Sequence, residues 1–431
     1  SSLLAAMAST TALASSGGAA LIGWTGGIVE EFLAAAAGTV KFGALYPTFA
    51  AAVAATPAGG MLIQPAGDFT SPFQNGISNP SSYLNKAITI WGAGEGKLVK
   101  GNGVTTYDKI VGGTRIEGSF FIKASNVKLY NLAIDSGEDY CRRVHSATPQ
   151  EGLIVNMSQS GLVGPQPNVW TGLYLDQVTI LCMGHNSNVH NFLVENMEHW
   201  GFGRVKCYKA GTGFVSKART CVGGTLICSG SQKQSALHKS ESDFGCEHNV
   251  ITTIICEQWG ATNDGTTGPV EFEASTADID DCVIQHLIMD GVKDGIVFRG
   301  DGSNNHWVNR CKVMGGTVKR ALTNPVIVIK NTKDCEVVGL RAEACVNGVR
   351  VDADSDGFKI GVAQSGTTGG TYLIDNYGTN TEIVNCTGRA NSATAGHFRA
   401  HNGSSCIVRG GYKATGDSKP LTTLIGTGAV D

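Results

Sequence analysis

The chain has 431 residues, 58 of them Gly, with only 16% charged residues and a formal net charge of −3 at pH 7. No basic block appears, which excludes a nucleic-acid or anionic-membrane partner recognised by charge, and no apolar stretch reaches the ~18 residues of a membrane span. A chain this long ordinarily divides into two domains, but a solenoid grows by adding turns and escapes that rule.

Residues 1–41 are rich in Ala, Ser and Gly, and the N-terminus lacks the basic start of a secretory signal. Phe42-Gly-Ala44 follows. The Ala-rich run from Thr48 to Ala55 then reads as a helix with Thr48 as its N-cap, stopped by Pro57-Ala-Gly-Gly60. Met61-Leu-Ile-Gln-Pro-Ala-Gly-Asp-Phe69 opens the first strand. A short helix placed here is expected to cover the open end of a solenoid core.

Further along, one spacing keeps returning: apolar, small or Cys residues at positions 1, 3, 6 and 8 of an eight-residue window. Val127, Leu129, Leu132 and Ile134 fit it, as do Leu173, Leu175, Val178 and Ile180. From Cys221 the windows start again at Asn249, Cys282, Cys311 and Cys335, with weaker copies at Ser187, Thr381 and Cys406. Each window reads as two short alternating strands joined by a bend that breaks the alternation by one residue. The period lies in the twenties to thirties. The double-length gap after Cys335 reads as two turns, one of them poorly patterned. Windows at Leu173 and Ser187 lie too close for consecutive turns, so one belongs to another face or is accidental. Such a period marks a stacked solenoid, and the expected fold is all-β: a single-stranded, right-handed parallel β-helix with an N-terminal helical cap.

Thirteen Cys would ordinarily suggest disulfides or zinc, but the count is odd and no CxxC pair exists. Cys221, Cys228, Cys256, Cys282, Cys311, Cys335 and Cys406 fall on inward window positions, where Cys behaves as a small buried hydrophobe. Free thiols in this number imply folding in a reducing cytoplasm; no cofactor and no metal are expected. Asp352, Asp354 and Asp356 have the Asp-x-Asp-x-Asp-Gly form of a calcium loop, but its twelfth position is Ala363 rather than a bidentate Glu. A polar turn is the reading there.

The N-terminal motifs resemble those of bacteriophage tailspike proteins. Ala20-Leu-Ile-Gly-Trp24 is similar to the segment that links the virion-attachment part of many tailspikes to their spike body. The order Phe-Gly-Ala, Ala-rich helix, Pro-Ala-Gly-Gly, apolar strand, Pro-Ala-Gly matches the start of their pectate-lyase-like β-helix. The likeness covers residues 13–69 by motif and about 90–415 by architecture; the family's acidic turn after Phe-Gly-Ala is replaced by Leu45-Tyr-Pro47. The resemblance implies a virion-attachment segment at 1–41, a cap and first strand at 42–69, a β-helix at 70–415 and a C-terminal tail at 416–431. It also implies a homotrimer in the virion tail, assembled in the host cytoplasm and joined to a tail or baseplate protein through its N-terminus. Such a protein binds a bacterial surface polysaccharide, capsule or O-antigen, and often cleaves it as a depolymerase.

A long β-helix presents a flat, elongated face suited to a repeating polymer. Trp200 and Trp259, in the similar strings Glu198-His-Trp-Gly201 and Glu257-Gln-Trp-Gly260, are candidates for stacking on sugar rings or for filling a trimer interface. The residue after position 8 of each window gives Asp135, Glu195, Ser229, Glu257, Asp290, Lys319 and Glu343, one outward column if the windows stack. Rungs lie about 4.8 Å apart. Glu257 and Asp290 on consecutive rungs therefore suit a retaining glycoside hydrolase, with Asp290 as nucleophile and Glu257 as general acid, or the reverse. The plain alternative is a solvated charged face. Other acids crowd Glu271, Glu273, Asp278, Asp280 and Asp281, and Glu241, Asp243 and Glu247. A lyase would use groups such as Arg204, Lys206, His238 and Lys239, which no spacing singles out. The remaining readings are a non-enzymatic tail adhesin or structural tail component, and a cellular β-helix enzyme of the pectin lyase or polygalacturonase kind, which the reduced Cys argue against. Serine-hydrolase elbows and dinucleotide loops are absent.

Overall fold

The window positions stack. In a computed structural model, residues 38–41, 46–73, 83–144, 152–155, 169–182, 189–231, 233–240, 245–257, 269–292, 295–320, 325–343, 345, 347–365, 373–388, 398–401, 403–410, 412–413, 422–424 and 429–430 are described. Position 1 of successive rungs is occupied by Val127, Leu173, Trp200, Cys221, Asn249, Cys282, Cys311, Cys335, Phe358, Thr381 and Cys406, all buried and aligned by parallel pairing of the residues beside them. Position 8 gives a second interior column: Ile134, Ile180, Cys207, Cys228, Cys256, Met289, Val318 and Ala342.

The result is a parallel β-helix with three sheets. The window strands, such as Val127–Ser136, Tyr174–Cys182 and Cys221–Ser229, form a long sheet that bends within each rung. Strands such as Phe120–Ile122, His190–Glu195, Gln234–Ser240 and Val270–Ala274 form a second sheet. Cys246–Glu247, Ile279–Asp280, Val308–Asn309 and Thr332–Lys333 make a short third sheet. All 13 Cys are free thiols and buried.

The corner into the long sheet repeats in one conformation. Asn126, His199, Thr220, His248, Asp281, Arg310, Asp334 and Asn380 each precede position 1 with φ between 49° and 58°, and Gly172 and Gly357 occupy the same place. A single left-handed residue turns the chain sharply while its N–H still bonds to the next rung: His248 donates to the Asp280 carbonyl at 3.0 Å and Asp281 to that of Asn309 at 3.1 Å. Asn and Asp tolerate this region best.

The cap helix is Phe49–Ala55, with the Thr48 hydroxyl accepting from the Ala51 N–H at 3.1 Å. Phe49, Ala52 and Val53 are buried at the end of the core. Lys86 donates to the Val53, Ala54 and Thr56 carbonyls at 2.6, 3.2 and 2.5 Å, neutralising the helix C-terminus. Strands continue the pairing beyond residues 42 and 415: Thr39–Lys41 pairs with Met61–Ile63, and Ala429–Val430 with Ser405–Arg409.

Two irregularities explain the imperfect pattern. The gap after Cys335 holds the rung of Lys359–Ser365, whose register shifts against Glu336–Glu343 between Val337 and Leu340, so the 1-3-6-8 spacing is lost. The Ser187 copy is instead His190–Glu195, a strand of the second sheet. A true rung, Trp200–Lys209, follows with Trp200, Phe202, Val205 and Cys207 at the four inward positions.

Candidate functional site

The outward column at the end of the window exists, without Glu195 and with Glu117, Leu181 and Tyr208 added. Its members are Glu117, Asp135, Leu181, Tyr208, Ser229, Glu257, Asp290, Lys319 and Glu343. Glu195 is not among them. It lies on the second sheet, is 4% exposed and pairs with Lys217 at 2.6 Å, because the segment that carries it is not a window of the long sheet. Asp135 is buried, accepting from the N–H groups of Ile110 at 2.8 Å and Gly137 at 3.0 Å with Arg115 at 3.3 Å.

Glu257 and Asp290 are direct register partners on adjacent strands, Val250–Glu257 and Val283–Asp290. Glu257 is exposed and has no ion-pair partner among the described residues. Asp290 is held by Arg320, whose Nε and Nη2 lie 2.8 and 2.5 Å from Oδ1. Below them Lys319 and Glu343 form an ion pair at 3.6 Å.

Trp200 is not a surface platform. It is 3% exposed and packs against Phe192, Phe202 and Phe214, as its place at position 1 of a rung requires. Trp259 lies outside the described residues. The lyase-type groups are dispersed: Arg204 and Lys206 both bind Glu95 at 2.8 Å, Lys239 faces Glu273 at 3.7 Å, and His238 is buried inside the coil. In the calcium-like turn, Asp352 pairs with Lys330 and Arg350, while Asp356 accepts from Thr379 and Asn380. Its carboxylates serve separate partners.

Sequence reading missed an exposed aromatic run. Trp91, Tyr130 and Tyr174 project from consecutive rungs of the long sheet. Trp91 and Tyr130 are stacked at 4.7 Å, Tyr130 and Tyr174 lie 5.8 Å apart, and Trp91 and Tyr174 are 43% and 36% exposed. Beyond Tyr174 the outward positions become Gly201, Gly203 and Gly224, where a Cβ would come within 2.4, 2.3 and 2.2 Å of neighbouring oxygens. Bare backbone therefore floors an open groove of about 780 Å³ walled by Tyr130, Tyr174, Lys128 and Val222. The signal was legible: Tyr130 and Tyr174 occupy even, outward positions of windows already recognised.

A second groove, about 630 Å³, lies where the second sheet meets the turn 301–306, lined by Glu273, Arg299, Asp301, Trp307 and Asp354. Arg299 reaches Glu271 at 2.6 Å and Glu273 at 3.5 Å. Glu271 is wholly buried, and burial outweighs Arg299 and the Gln234 amide to push its carboxyl up to about 7.

No family model matches the sequence, and no curated protein matches it. Among solved structures, the A-module of a mannuronan C-5 epimerase from Azotobacter vinelandii is similar at 13% identity and a TM-score of 0.41, over 86% of this chain and 91% of that one. An alginate lyase from a Paenibacillus species is similar at 10% identity and 0.36, over 91% and 99%. The ORF18 protein of Geobacillus virus E2 is similar at 12% identity and 0.36, over 86% of this chain and 61% of that one. Likeness at this level concerns the path of the chain, not its activity.

Proposed function

We propose that the chain is the body of a phage tailspike that binds a bacterial surface polysaccharide along the outer face of its long sheet and cleaves it by glycoside hydrolysis. The observation that carries the reading is the aromatic run of Trp91, Tyr130 and Tyr174 leading into a glycine-floored groove. Flat aromatic faces pack against the C–H faces of sugar rings, while a bare backbone floor offers carbonyl and N–H groups to hydroxyls. The run and the acid column lie on the two legs of one bent sheet, with Glu257 three rungs beyond Tyr174, so a polymer that runs obliquely down the sheet and across the bend meets both. Glu257 and Asp290, one rung apart at about 4.8 Å, approach the ~5–5.5 Å carboxyl separation of retaining hydrolases. Arg320 orients Asp290 as nucleophile, and Glu257 is the general acid. Three copies associate through their β-helix faces, with residues 1–41 joining the tail.

The test uses polysaccharide from a susceptible host. Trp91→Ala with Tyr174→Ala is expected to weaken binding at least about ten-fold, the loss of two stacking contacts at roughly 1 kcal/mol each. Glu257→Gln and Asp290→Asn are expected to retain binding and to stop release of new reducing ends. Binding without any release by the parent chain leaves an adhesin and ends the hydrolase assignment; undiminished binding by the double variant ends the aromatic one. Light scattering on the intact chain checks the trimer.

A further inference from the structure

Inside the coil, where the second and third sheets meet the long sheet, three side chains converge that the glycan reading does not use. His238 comes from Gln234–Ser240, Cys246 from Cys246–Glu247, and Cys282 opens the following rung. One ligand atom from each lies within 4.8 Å of the others, and the two Sγ atoms are 4.0 Å apart. All three residues are buried.

His238 is the anomaly that calls for a ligand. It is 1% exposed, and neither ring nitrogen has a hydrogen-bond partner among the described residues. A buried polar group left unpaired costs stability and demands an explanation. Packing does not supply one, because the next two rungs place Phe272 and Phe298 at its position, stacked at 5.2 and 4.8 Å. A phenylalanine would continue that stack with no polar atoms to satisfy. The imidazole instead sits beside two thiols, with both ring nitrogens open to a ligand.

We propose that His238, Cys246 and Cys282 bind a thiophilic d10 cation of the zinc class, enclosed in the core of the β-helix. Two thiolates and a neutral imidazole balance a divalent charge, so the site buries no net charge. Two sulfurs bound to one zinc at about 2.3 Å in tetrahedral geometry stand roughly 3.8 Å apart, close to the separation seen. The Asn249 amide donates to the Cys246 sulfur at 3.1 Å and to the Ala218 carbonyl at 2.8 Å, which fixes that ligand from behind. Cys311, next in the column and adjoining the Cys282 thiol, is a candidate for a fourth position. Because all three ligands are buried, the ion would enter as the rungs close, and would tie a strand of the second sheet and one of the third to the start of a rung of the long sheet.

The intact chain, purified from cells and dialysed against chelator, is expected to carry about one zinc per chain by elemental analysis. Material made in cobalt-supplemented medium is expected to show thiolate-to-cobalt charge-transfer absorption. Both signals are expected to fall at least about ten-fold in His238→Phe and Cys246→Ala, while Cys406→Ser keeps them. His238→Phe extends the existing ring stack and is the variant most suited to folding; if neither variant folds, zinc content and the cobalt spectrum of the parent decide. Less than about a tenth of an equivalent of metal in the folded parent overturns the site. So does a Cys246–Cys282 disulfide found by mass after alkylation, or a His238→Phe protein with unchanged metal.

Discussion

Glu271 holds its proton to higher pH than an exposed carboxylate does, because burial disfavours its charged form. Its folded pKa of about 7 exceeds the ordinary value of 4.5, so the stability tied to its protonation is complete below about pH 4.5 and is lost as pH rises through about 7. At one pKa unit per 1.36 kcal/mol the loss is at most about 3 kcal/mol. Glu271→Gln keeps a carbonyl oxygen for the Gln234 amide and leaves Arg299 with Glu273. Its denaturation midpoint at pH 8 is expected to equal or exceed that of the parent, and its decline between pH 5 and 8 to be shallower. A parent whose midpoint stays flat over that range contradicts the assignment. Which residues share a column was legible wherever the alternation was clean, as at Glu257 and Asp290. It failed for Glu195 and Trp200 for one reason: the rung at Trp200 satisfies the same spacing, and overlooking it put its first inward residue on the surface.

At the scale of single elements, the cap helix shows how a seven-residue helix persists although isolated helices of that length are marginal. Its N-terminus is capped by Thr48, its apolar side is buried at the core's end, and its terminal carbonyls share the Lys86 ammonium. Lys86→Met is expected to cost about 1.5–3 kcal/mol as charged hydrogen bonds are lost, and Thr48→Ala about 1 kcal/mol. Chemical denaturation reads both, and hydrogen exchange at Met61 and Thr89 on the first rungs reads where the loss acts. A Lys86→Met protein as stable as the parent would show that the helix needs no such clamp. The helix was plain in the sequence because capping and propensity are local. The rung of Lys359–Ser365 was not, since it passes the bend with one residue fewer than Glu336–Glu343, and a missing residue shifts every later position by one without any composition signal.

For the molecule as a whole, the interior columns make thiol reactivity a test of the coil. The 13 buried thiols are expected to resist an aromatic disulfide reagent in the native chain, and all 13 to react once the chain is unfolded in chelator. Rapid modification of several in the folded state would mean that the columns do not face inward. Periodicity carried most of this architecture because each rung buries the same positions against the rung below. The second sheet was harder to see, its strands being short and buried on both sides: Phe121, Ile154, Leu193, Val215 and Leu237 line its outer surface and erase the alternation that marks a half-exposed strand.

The bend of the long sheet also shows what the coil tolerates. Between Ile88–Trp91 and Thr114–Glu117 the chain leaves for an antiparallel hairpin of Lys97–Val99 and Lys109–Val111, then returns to pair beside Val127–Ser136 as if nothing had intervened. A rung closes on the partners above and below it, whatever is spliced into its corner. New excursions can therefore be grafted at the bend, next to the aromatic run, without redesign of the stack beneath.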